Sequence, residues 1–72
     1  MRQLRPQELE WLRNTYPRGT RVKLIYMDDP QAPPTDTEGT VVGVDILGTI
    51  HVTWDTGSTL GIAYGVDRCV KI

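Results

Sequence analysis

Four places in this 72-residue chain carry side chains that could do chemistry: Asp55-Thr56-Gly57-Ser58, His51, Cys69, and the adjacent carboxylates Asp28-Asp29. An aspartate beside a turn glycine could act with a second copy of itself across a dimer, the two sharing one proton because like charges a few ångströms apart do not both ionise. One such copy is present, and a chain this short that also spends residues on a helix leaves little for a flap and substrate cleft. The expected role of Asp55 is structural: it accepts backbone hydrogen bonds at a hairpin that Gly57 turns. His51, between Ile50 and Val52 in an alternating stretch, points away from the core and has no serine or cysteine near it in sequence to form a nucleophile and base pair. Cys69 reads as a small, half-buried packing residue. Asp28 and Asp29 with Glu38 lack the ligand count and spacing of a calcium loop, and one histidine with one cysteine does not supply four zinc ligands within one chain. No catalytic residue, metal or cofactor is expected, and the chain reads as non-enzymatic.

Size and charge narrow the rest. A single domain of this length buries only about 60% of its unfolded surface, so modest stability is expected. A lone cysteine excludes an internal disulfide, and Met1-Arg2-Gln3-Leu4-Arg5 leads into polar, helix-forming sequence with no apolar run, so a soluble, cytoplasmic protein is expected. Eight basic and nine acidic residues give a net charge of −1, too little field to concentrate a polyanion or to hold a membrane surface. Arg2, Arg5, Arg13, Arg18, Arg21 and Lys23 nevertheless lie in the first third, while acidic residues dominate the remainder.

The elements that must position these groups follow from periodicity. Pro6 to Tyr16 is helical: Pro6 suits the first turn, Glu8 and Glu10 complement the N-terminal end of the dipole, and Leu9, Leu12 and Tyr16 recur on one face with Trp11 to its side. Pro17 and Gly19 stop it, and so short a helix must dock its stripe to be stable. Thr20 to Met27 alternates, with Val22, Leu24 and Tyr26 on one face. Asp28 to Glu38, with Pro30, Pro33 and Pro34, is a long stiffened loop. Strands at about Thr40–Asp45, Thr49–Asp55 and Thr59–Tyr64 follow, joined by short hairpins, with bulges expected at Gly43 and Gly61. Val70-Lys71-Ile72 returns beside the first strand. The expected core is Val22, Leu24, Val42, Ile50, Val52, Trp54, Leu60 and Ile62.

Five short strands, a long first loop and tight hairpins resemble an SH3-like barrel, giving a mainly β single domain over 1–72 with a helix at about 6–16 and a five-stranded barrel at about 20–72. The motifs Tyr16-Pro17-x-Gly19-Thr20-x-Val22-x-Leu24, Met27-x-Asp29-Pro30-x-Ala32-Pro33, Gly39-Thr40-Val41, Ile50-His51-Val52-x-Trp54-Asp55-x-Gly57-Ser58 and Gly65-Val66-Asp67 resemble the domain-of-unknown-function family numbered 4314. That resemblance runs from Tyr16 to the C-terminus, leaves out the helix, and implies a compact accessory protein carried by phages, plasmids and conjugative elements, with no activity attached. Two positions depart from the family's pattern. Asp36 stands where a glycine is expected, which a left-handed backbone tolerates, and Thr56 stands where asparagine is usual, which disfavours a plain two-residue type I′ turn.

From that resemblance follows the leading expectation, an interaction module binding another protein, with inhibition of a host defence system as one concrete form. The expected contact residues are Tyr26, Asp28, Asp29, Pro30, Pro33 and Tyr64 around the stiffened loop, together with Trp11 on the helix. Trp54, in phase with Ile50 and Val52, is expected inside. A nucleic-acid-binding accessory protein is the alternative, through Arg18, Arg21 and Lys23, though about three phosphate contacts give only weak, salt-sensitive binding. A small-molecule or nucleotide sequestering protein and, most remotely, a dimeric aspartic protease built on the Asp55 motif complete the readings weighed.

Overall fold

The computed structural model describes residues 4–72. It contains one helix, α1 (Pro6–Thr15), and five strands, β1 (Arg21–Tyr26), β2 (Glu38–Val44), β3 (Thr49–Trp54), β4 (Ile62–Ala63) and β5 (Arg68–Lys71). The strands form one antiparallel sheet in the order β4-β3-β2-β1-β5. β4 and β5 are its two outer strands, no ladder joins them, and the sheet is therefore not closed. An isolated bridge between Tyr64 and Asp67 lies at the turn between them.

Alternating residues of β1, β2 and β3 meet in one core: Val22, Leu24, Val41, Ile50, Val52 and Trp54, joined by Ile62, Met27 and Leu12 of the helix. Trp54 is 1% exposed, and its indole N–H donates to the Leu60 carbonyl at 2.8 Å, so its one polar atom is satisfied inside. The helix docks through Leu12 and Tyr16 of its expected stripe, with Leu4 beside them and Leu9 outside the packed cluster, and Arg13 Nε donates to the Val44 carbonyl at 3.3 Å.

Two β-bulges shift the expected faces. Between Val41 and Gly43 the register slips by one residue, so Val41 opposes Val52 while Gly43 opposes His51. Val42 is the extra residue, 47% exposed, and Val41 takes the core position expected for Val42. Between Leu24 and Tyr26 the pairing with β5 slips likewise, which turns Tyr26 out to 52% exposure and gives its inward place to Met27. β4 is also shorter than expected: only Ile62 and Ala63 pair with β3, while the Leu60 carbonyl is occupied by Trp54 and Leu60 is only half-buried.

Both hairpins use the same device. The Gly48 N–H donates to the Asp45 carbonyl and the Gly57 N–H to the Trp54 carbonyl, with φ of +83° and +98° at the two glycines. The left-handed residue is thus glycine in each case, and Thr56 keeps a negative φ, as its branched side chain demands. The loop after β1 is ordered by Leu24, whose N–H donates to the Thr37 carbonyl and whose carbonyl accepts from the Asp36 N–H.

Candidate functional site

The open seam between β4 and β5 forms a cleft of about 550 Å³, within the range that holds a ligand or several side chains of a partner. Ile50 and Ile62 reach it from the core, and Trp11, Tyr16, Tyr64 and Val70 line its more exposed part. Trp11 stands there because α1 docks through Leu12, and the preceding position is rotated roughly 100° round the helix. Tyr64 is placed by the turn after β4. The Val66 and Asp67 N–H groups donate to the Ala63 carbonyl at 3.0 and 2.9 Å, and the Asp67 carboxylate accepts from the N–H groups of Ala63 and Asp28, each at 2.9 Å. Asp67 thereby ties the start of the long loop to the β4–β5 turn, a role that no local sequence signal marks.

Trp11 is the centre of an aromatic group. Its ring centroid lies 6.4 Å from that of Tyr16, edge to face, and 6.2 Å from that of Tyr64, tilted by 53°. Trp11 is 51% exposed and Tyr64 38%. Below them Tyr16 and Cys69 share a hydrogen bond; burial pushes the Cys69 thiol up, with the Tyr16 hydroxyl opposing part of that shift, and burial together with Cys69 raises the Tyr16 phenol. At neutral pH Cys69 is a protonated thiol, which is a poor nucleophile.

The acidic and basic candidates are committed elsewhere. Asp55 does not cap its own turn as expected. Its two carboxylate oxygens accept from the Arg21 guanidinium at 2.9 and 2.6 Å, with Thr40 Oγ1 at 2.9 Å and Glu38 at 3.4 Å completing the set around Arg21. The hydrogen bonds from Arg21 hold the Asp55 carboxyl below its ordinary range, and the same bonds raise Arg21. Arg21 is thus flanked by two carboxylates, while Lys23 sits directly across the ladder from Glu38 and Arg18 is exposed. Arg2, at the start of the basic segment, lies outside the described residues. Asp45 is the turn-capping aspartate instead: it accepts from the N–H groups of Leu47 and Thr49 at 2.9 and 3.0 Å, and its second oxygen meets His51 Nε2 at 2.9 Å. Desolvation pushes the Asp45 carboxyl up, but the bonds from His51, Thr49 and Leu47 outweigh it and hold the group low.

Of the expected contact residues, the structure brings Trp11 and Tyr64 together at the cleft. Tyr26, Asp28 and Pro30 are exposed without lining it, and Asp29 caps its own turn by accepting the Gln31 N–H at 2.7 Å. Pro33 is buried, so it offers no contact surface. Sequence reasoning missed Tyr16, Ile25 and Val70 as cleft residues, because the seam is defined by which strands fail to pair. Among the described residues no group of three His, Cys, Asp or Glu side chains comes close enough to hold a metal ion, and no helix is long and apolar enough to cross a membrane.

A small, mainly β domain with an aromatic cleft at an open seam is what the fold and site define. The chain belongs to the family described as a domain of unknown function (DUF4314), whose model matches residues 5–72 and therefore takes in α1, which the motifs alone had left out. No curated protein and no solved structure is detectably similar to it.

Proposed function

We propose that this chain is a non-enzymatic interaction module that binds another protein through the cleft at the β4–β5 seam. One observation carries the reading: Trp11, half exposed, stands 6.2 Å from Tyr64 over an opening floored by core residues. Clustered exposed aromatics beside an apolar floor are costly to leave in water, and such groups are the usual anchors of protein interfaces. The strand order and the long first loop support an SH3-like barrel open at one seam as the scaffold. The family resemblance adds carriage by phages, plasmids and conjugative elements as the biological setting, where a small cytoplasmic binder fits inhibition of a host defence protein.

Affinity capture with the wild type and with Trp11→Ala, matched for thermal stability, tests the reading. A protein captured by the wild type and lost with the variant supports it, and an identical captured set overturns it.

A further inference from the structure

The wall of the cleft on the β5 side is an edge and not a face. Successive residues of a strand point to opposite sides, yet Arg68, Cys69 and Val70 all line the opening, so the free side of β5 itself borders it. The ladder fixes which backbone groups that side presents. The Ile72 N–H donates to the Arg21 carbonyl at 3.1 Å, and Lys23 pairs with Val70, so Ile72 and Val70 turn their hydrogen-bonding groups to β1. Cys69 and Lys71, between and beside them, turn theirs away. Leu24, opposite Cys69, confirms the alternation, because its own N–H and carbonyl go to Thr37 and Asp36 on the other side. Among the described residues no strand covers the outer side of β5.

Charge selects the occupant. Arg68 and Lys71 are exposed along this edge and, among the described residues, neither has an ion-pair partner. The one carboxylate bordering the cleft, Asp67, is engaged by the N–H groups of Ala63 and Asp28. A second copy of β5 laid antiparallel on the first would bring four cations together with no acid between them, the arrangement by which edge strands avoid self-pairing. An acidic extended chain meets Arg68 and Lys71 with complementary charge, and its alternate apolar side chains, falling on the Cys69 side of the strand, are directed at Trp11 and Tyr64.

We propose that β5 is a docking edge on which an extended, acidic segment of a partner protein adds as a further strand, setting apolar side chains in the cleft. This rests on the reading of the cleft as the partner site.

The test uses an acetylated and amidated peptide, Glu-Val-Glu-Tyr-Glu-Ile-Glu, titrated into the isotope-labelled chain and followed by amide NMR, with the lysine-for-glutamate peptide as the charge control. Binding of the acidic peptide alone, with slowed exchange of the Cys69 and Lys71 N–H groups, is expected. Lys71→Pro removes an outward N–H and none of the β1 ladder, so it should fold and weaken binding by about tenfold or more, well beyond the loss from Lys71→Gln. Methylating alternate peptide nitrogens, which spares the side chains, should abolish binding. Binding that survives both Lys71→Pro and methylation but is lost with Trp11→Ala overturns strand addition and leaves the cleft standing as the site. Binding indifferent to all three changes overturns both. Failure of the acidic peptide to bind, equal binding of the lysine peptide, or sedimentation as a dimer that Lys71→Pro dissolves also overturns the proposal.

Discussion

The rings of Trp11 and Tyr64, from opposite ends of the chain, stand with centroids 6.2 Å apart and join the helix to the turn that follows β4. Neither residue is needed there to fill the core, which closes around Trp54, Leu12 and the valines and isoleucines of β1 to β4. The helix therefore does two jobs with adjacent residues: Leu12 anchors it, and Trp11 furnishes the rim of an opening.

The bulge in β2 makes neighbouring valines unequal. Ile50→Ala should cost about 2–5 kcal/mol, enough to unfold much of so small a domain, and Val41→Ala should be clearly destabilising as well. Val42→Ala, at the outward bulge position, should stay within about 0.5 kcal/mol. Urea unfolding of the three variants checks the order, and a loss at Val42 equal to that at Val41 would contradict the observed register.

Asp36 has φ of +73°, the one non-glycine residue among those described with a left-handed backbone. A β-branched side chain is strained there, so Asp36→Val should cost about 1–2 kcal/mol. Asp36→Gly relieves the strain and loosens the unfolded chain, two effects that oppose each other, so its thermal midpoint should stay near the wild type.

Asp55 and Asp45 are both held below the usual carboxylate value of about 3.9, Asp55 by the Arg21 guanidinium and Asp45 by His51 and two turn amides. A carboxyl depressed by folding contributes stability that is fully present above its unfolded value and is lost as pH falls through the folded one. Thermal midpoints should accordingly fall below about pH 4, and Asp55→Asn should flatten part of that fall while weakening the fold slightly at neutral pH. The wild type should hydrolyse no peptide at acid pH. Acid-favoured hydrolysis abolished in Asp55→Asn would restore the dimeric protease.

Much of this was legible in the residues because alternation and punctuation are local. Val22, Leu24, Ile50, Val52, Trp54 and Ile62 declare their faces by period, the glycines after Leu47 and Thr56 mark the hairpins, and Leu12 declares the docked side of α1. Gly43 announced a bulge, but the choice of Val42 as the residue turned out depends on how β3 pairs with β2. The partners of Asp55, Asp45 and Asp67 were not legible for a related reason. A carboxylate chooses among donors that tertiary pairing brings near, and Arg21 is 34 positions from Asp55. The cleft was half legible: Trp11 and Tyr64 stood out as aromatics without a core role, whereas Tyr16, Ile25 and Val70 join them only because β4 and β5 do not pair.

Once a partner has been captured, isothermal titration of that protein against Tyr64→Ala and Tyr26→Ala tests most directly whether the cleft, and not the proline-rich loop, is the binding site. Tyr64 lines the cleft and Tyr26, 52% exposed, does not. Binding through the cleft requires Tyr64→Ala to weaken the complex by about tenfold or more, as loss of an interface anchor does, with Tyr26→Ala within about twofold of the wild type. The reverse order, with Tyr26→Ala disabling the complex and Tyr64→Ala harmless, would contradict it and return the site to the loop.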